Sequence, residues 1–337
     1  MIRMWQLGAM AFLLTASVAC AQPFRGEAIP IADDKKGIGF DDLRYSSSLH
    51  RVLVPAGRTG TIVLIDPSNH KRRVIAGLST EKVYGGGHGE GTTSVDEGEG
   101  ALYAIDRNSK EVVILDPVSR HVTARAALGG SPDYVRYVAA TRELWVTEPD
   151  SERIEIFSIS TKRDGLTSLA SIAVPGGPES LVIDTAGGHA FTHLWSGTSV
   201  VIDLRSRKIT AKWPNRCRGS RGIAYDERSH FLFAGCAEGK AVVMDAAHGG
   251  AVLATASAGN GVDIIDYDPA RRHLYLPGAK SATLTIFSVG TNGALAPLGT
   301  MSTVRGAHCV TTDGKDAYVC DPDGGRILVV HDPYPAK

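Results

Sequence analysis

Apolar residues in this chain come in short runs bounded by Gly, Asp and Ser, and the runs recur with a long, regular spacing. An apolar triplet, usually centred on an aromatic residue, appears as Val52-Leu53-Val54, Leu102-Tyr103-Ala104, Leu144-Trp145-Val146, Ala190-Phe191-Thr192, Leu232-Phe233-Ala234, Leu274-Tyr275-Leu276 and Ala317-Tyr318-Val319. Each triplet is followed by a polar, glycine-containing loop. A second apolar run then closes on Asp or Ser, as in Val63-Leu64-Ile65-Asp66, Val113-Ile114-Leu115-Asp116 and Val242-Val243-Met244-Asp245. Outside the N-terminus no stretch keeps apolar residues at i, i+3, i+4 and i+7 over three turns, so helices are not expected. Short strands in units of roughly 40 to 50 residues predict a β-propeller, an all-β fold whose blades of about four strands surround a central channel.

The pattern divides each unit into an inner strand, the aromatic-centred second strand, a third strand and an outer fourth. Blades begin near Phe40, Thr92, Asp133, Glu179, Arg221, Asp263 and His308, which makes seven. The last unit stops near Asp332 after three strands, and the segment Phe24 to Ile31 is free to supply the fourth. A splice of the two chain ends would close the ring and leave no open sheet edge. Two places break the rhythm. The connection from Leu78 to Thr92 contains Gly85-Gly86-Gly87-His88-Gly89-Glu90-Gly91, expected as a mobile lip over the channel, and blade three has a long outer hairpin around Lys162-Arg163-Asp164-Gly165.

The N-terminus changes the expected compartment. Arg3 precedes an apolar stretch from Trp5 to Ala19, and Ala19-Cys20-Ala21 has the small residues of a signal-peptidase site. Residues 1–21 are therefore expected to be a signal peptide and residues 22–337 one propeller domain in the periplasm. Lipidation of Cys20 is the alternative, disfavoured by Ser17 where a large aliphatic residue is usual. No later apolar run is long enough to span a bilayer. Of five cysteines, Cys217, Cys236, Cys309 and Cys320 remain after cleavage. The repeat sets each pair at one rim of one blade, which predicts the bridges Cys217 to Cys236 and Cys309 to Cys320 in an oxidising environment.

With 36 basic and 36 acidic residues there is no net field to attract nucleic acid or anionic lipid. The clusters Lys71-Arg72-Arg73 and Arg271-Arg272 have no aromatics between them, so nucleic acid is not an expected partner. No G-x-S-x-G elbow marks a serine nucleophile, and the glycine-rich lip lacks the Gly-Lys-Ser/Thr ending of a phosphate cradle.

The strand pairs resemble those of the seven-bladed YVTN/YncE-type propellers of bacterial envelopes, as in Leu102-Tyr103-Ala104 followed by Val113-Ile114-Leu115-Asp116. The segments Gly130-Ser131-Pro132-Asp133-Tyr134-Val135-Arg136 and Gly219-Ser220-Arg221-Gly222-Ile223-Ala224-Tyr225-Asp226 are similar to those of exported members of that group. The resemblance implies the architecture and little chemistry, because this fold hosts binders, lactonases, lyases and electron-transfer subunits.

Aligning the seven units puts one residue per blade at the channel mouth: Asp41, Gly91, Asp133, Glu179, Arg221, Asp263 and His308. Three readings of this ring stay open. A hard divalent cation such as Ca²⁺ would use carboxylates, with Asp133, Glu179 and Asp263 as candidate ligands. It could polarise a lactone or ester carbonyl while His308, the candidate catalytic residue, handles a proton. The ring could instead bind a small polar molecule or an envelope protein directly, with Arg221 holding an anionic group. The third reading is self-neutralisation, with Arg221 bridging Glu179 and Asp263. His88 and His193 are further ligand-binding candidates, and together with His308 they would suit Zn²⁺ or Cu²⁺ better than Ca²⁺. Trp195, beyond the end of its strand, is the aromatic residue placed nearest a ligand. The chain is thus expected to be a monomeric periplasmic binding propeller, with a metal-dependent hydrolase as the alternative.

Overall fold

Seven antiparallel sheets of four strands stand side by side, and in six of them the order across the sheet is the order in the chain. The structure, a computed structural model, describes residues 26–33 and 37–336, so the expected signal peptide lies outside the described residues. Blade one is built of Arg44–Ser46, Arg51–Pro55, Thr61–Ile65 and Arg72–Ala76. Blade seven has Val310–Thr312, Asp316–Asp321 and Arg326–His331, and its fourth strand is Glu27–Pro30 from the other end of the chain. Glu27 lies opposite Val329 and Pro30 opposite Arg326. The protein is a seven-bladed β-propeller closed by its N-terminal strand, as the repeat predicts. Among the described residues no helix is long and apolar enough to cross a membrane.

The apolar triplets explain the ring. Neighbouring residues of a strand point to opposite faces, and in a propeller both faces of each blade are covered by other blades. Leu102 and Ala104 join Leu53, Ile62 and Leu64 in the layer between blades one and two, whereas Tyr103 and Ile105 join Val135, Leu144 and Phe157 between blades two and three. A slip of one residue would exchange the two layers, so the register is held from both sides. Aromatic contacts recur in these layers: Tyr103 packs on Tyr137 at 5.4 Å, Phe191 on Tyr225 at 5.0 Å and Phe233 on Tyr267 at 4.5 Å. Near the C-terminus the buried Asp332 accepts from Tyr275 and pairs with His273, both at 2.7 Å, tying blade seven to blade six.

Outer strands such as His121–Ala127 and Ala251–Ser257 alternate between exposed and half-buried residues. Five of them carry a bulge at the same place, opposite the steps Ile114/Leu115, Ile156/Phe157, Val201/Ile202, Val243/Met244 and Ile286/Phe287. A bulge twists an edge and hinders pairing with another chain. The four cysteines form the two expected pairs, with Cα separations of 5.2 Å for Cys217–Cys236 and 5.5 Å for Cys309–Cys320. Such pairs are compatible with an oxidising location.

Candidate functional site at the channel mouth

Each inner strand runs from one end of the channel to the other, so the residues just ahead of the seven inner strands surface together at what is called here the upper mouth. Asp41, Asp263 and His308 approach one another there, and His88 joins them from the inserted loop between blades one and two. Donor atoms of these four residues all lie within 4.8 Å of one another. His88 Nδ1 is 3.0 Å from Asp41 and its Nε2 is 3.7 Å from Asp263, while its ring stacks on His308 at 5.1 Å. The glycines seat this loop: a side chain at Gly39 would stand 2.6 Å from the Gly87 carbonyl, so the two backbones can touch only without one.

The rest of the ring is held by two arginines. Arg107 donates to Asp133 and lies 3.8 Å from Asp41. Arg221 pairs with Glu179 at 2.5 Å, and Glu179 also accepts from the indole N–H of Trp195. The guanidinium of Arg221 sits 5.1 Å over the Trp195 ring, which is 45% exposed at the opening. No ion pair joins Arg221 to Asp263 among the described residues. Self-neutralisation is therefore divided: Arg221 serves Glu179, whereas Asp263 faces His88.

Burial governs the electrostatics. It would raise Asp41, but His88, Arg107 and His308 outweigh it and hold that carboxyl below its ordinary value. Asp41 in turn is the main reason that His88 is pushed up to about 10. Asp133 is raised to about 7 by burial, against Arg107 and with Asp41 reinforcing it. Glu179 is raised to about 8 by burial and then by Asp133 and Asp263, despite Arg221. A mouth with protonated or half-protonated carboxyls beside two permanent guanidinium cations can accept an anion.

His308 is less free than the sequence suggests. Its Nδ1 faces the Gly306 carbonyl at 2.7 Å and its Nε2 the Phe40 carbonyl at 2.9 Å. His193 does not reach the mouth. It is fully buried between blades four and five, where Ser199 lies 3.0 Å from Nδ1 and the Phe233 carbonyl 3.4 Å from Nε2, and burial lowers it to about 4. Gly91 presents no side chain: at φ +71° it lies against the Gly57 backbone.

Two features escaped the sequence reading. Arg107 comes from the turn between the second and third strands of blade two and stands where Gly91 leaves room. Its signal was a cation directly after the second strand, at a turn expected to surface at the mouth. The other is a plug lower in the channel. Arg136 of blade three grips Asp42 of blade one through hydrogen bonds of 2.5 and 2.8 Å, donates to the Leu181 carbonyl at 2.9 Å, and has Tyr134 5.0 Å beneath it. Beyond this plug, toward the opposite end, a cavity of about 720 Å³ is lined by residues including Arg44, Asp96, Tyr137, Tyr225, Asp266 and Thr311. Within its wall Arg44 pairs with Asp96 at 3.1 Å and Asp266 accepts from Thr311 at 2.8 Å. From the basic clusters, Arg72 pairs with Asp33 and Arg271 donates to the Gly314 and Tyr334 carbonyls.

No family model matches this chain, and no curated protein sequence matches it. Solved structures do share its fold. A chain of the crystal structure of the mitotic checkpoint complex superposes with a TM-score of 0.71 at 16% identity, over 97% of this chain and 99% of that one. A chain of hydrazine synthase from Kuenenia stuttgartiensis gives 0.71 at 14% identity, over 90% and 97%. At such identities the likeness is one of fold alone.

Proposed function

We propose that this protein is an exported propeller that binds a small, polar, anionic ligand at the upper mouth and does not turn it over. The reading rests on one observation, the exposed Trp195 with Arg221 stacked on it. A flat apolar platform beside a guanidinium fork suits a planar carboxylate, which would exchange Glu179 for itself as Arg221's partner. Binding is favoured over hydrolysis because both ring nitrogens of His308, the candidate catalytic residue, already face carbonyl oxygens. The apolar N-terminal stretch and the two cysteine pairs support export to the periplasm.

The test is isothermal titration calorimetry of the full chain with dicarboxylates, sugar acids and amino acids. Saturable binding should vanish in Trp195→Ala and Arg221→Ala, survive in Arg44→Ala, and weaken as pH rises through about 8, where Glu179 ionises and competes for Arg221. Loss in Arg44→Ala alone would move the site to the cavity at the opposite end, and a panel without a single binder would dismiss the anion reading. Release of product from lactones or esters would favour the hydrolase instead.

A further inference from the structure

The repeat supplies each blade with one residue at the mouth, and the structure adds an imidazole from outside the repeat. His88 rides on the inserted loop and is set on the channel axis against two carboxylates and a second imidazole. We propose that Asp41, His88, Asp263 and His308 form a binding site for a first-row divalent cation, Zn²⁺ foremost. The proposal stands apart from the Trp195–Arg221 reading, since neither of those residues contributes a ligand.

Three observations carry it. The first is distance: the four donor atoms lie within 4.8 Å of one another. Ligands held at the usual Zn–N and Zn–O lengths stand about 3.4 Å apart in a tetrahedron. Each side chain therefore needs to move by roughly 1 Å or less, within reach of rotamer adjustment on a loop such as Gly85–Gly91. The second is the set of donors. Two imidazoles with two carboxylates suit Zn²⁺ and its neighbours in the first row, whereas Ca²⁺ prefers six to eight oxygens. The set also differs from the trio expected from sequence: Asp133 is engaged by Arg107 and Glu179 by Arg221, and only Asp263 is common to both.

The third is the setting of His308. Both its ring nitrogens face carbonyl oxygens, which accept and cannot donate. In its neutral form an imidazole donates to only one of two such oxygens, and its other nitrogen keeps a lone pair. A cation is taken up at Nε2 once the ring turns from the Phe40 carbonyl, while Nδ1–H stays donating to the Gly306 carbonyl, the backbone contact by which metal-bound histidines are commonly oriented. The charge of the site is balanced too, since two carboxylates match one dication.

The experiment uses the untagged full-length protein, stripped with a chelator and dialysed, then titrated with Zn²⁺ by calorimetry and with Co²⁺ by visible absorption. One equivalent of Zn²⁺ should bind, and Co²⁺ should develop the intense visible band of a tetrahedral site. His88→Ala and His308→Ala should each weaken Zn²⁺ by roughly 100-fold or more and abolish the cobalt band. His248→Ala, at an exposed turn, should change neither. Thermal melting of each variant shows that the fold is intact, and His88→Ala alters only a surface loop. Absence of stoichiometric uptake would overturn the proposal, as would uptake that survives both substitutions at the mouth.

Discussion

Arg136 and Asp42, 94 residues apart in the chain, meet through two parallel hydrogen bonds at the centre of the propeller, where both are buried. Ser94 of blade two donates to the same Asp42 at 2.5 Å, and the Leu181 carbonyl of blade four accepts from Arg136. One ion pair thus ties four blades and blocks the channel. Arg136→Ala should destabilise the protein by about 3–5 kcal/mol, because it strands a buried carboxylate, and Asp42→Asn with Arg136→Met should recover much of the loss. Denaturant unfolding of the three proteins measures this. A single variant as stable as the parent would show that water, not Arg136, solvates Asp42.

The buried His193 makes the protein sensitive to acid. Its value falls from an ordinary 6.5 to about 4 in the folded state, so between these limits the unfolded chain binds the extra proton. Stability is then complete above pH 6.5 and declines as pH falls through 4, by about 3 kcal/mol from this group. His193→Gln should flatten the decline. Unfolding free energies at pH 7, 5.5 and 4 decide the matter, and parallel curves for the two proteins would refute the assignment.

The N-terminal strand closes the ring. Removing residues up to Ile31 would strip the outer edge of Arg326–His331 of its partner and expose the cavity left by Ile29 and Ile31, both buried. The truncated chain should melt earlier and associate as concentration rises, since an unpaired edge is a template for another strand. Light scattering at two concentrations reports it. A truncated chain that stays monomeric with an unchanged melting temperature would mean that the three remaining strands of blade seven suffice to close the ring.

Much of this was legible beforehand. The apolar triplets are readable because burial on both faces of a strand leaves few polar residues in it, and each cysteine pair because its two members belong to antiparallel neighbours. Asp41, Asp263 and His308 could be placed at one mouth from the repeat alone, whereas His88 lies outside the repeat and only the structure sets it among them. Arg107 could not be assigned a partner, for a long side chain in a turn reaches whichever carboxylate a glycine leaves accessible. His193 is a ligand-binding candidate by its place near the end of its strand, but alternation aims it between blades, and only the neighbouring blade reveals that Ser199 and Phe233 receive it.

The sequence by itself determined the number of blades, the register within them and the closure of the ring, since these follow from local alternation repeated at a regular spacing. Tertiary structure alone decided which charges pair across the axis: Arg136 with Asp42, Arg107 with Asp133, Arg221 with Glu179, and His88 between Asp41 and Asp263. Coulomb interactions and hydrogen bonds depend on separations of a few ångströms between residues up to 175 positions apart in the chain. Periodicity orders the strands; it does not measure those gaps.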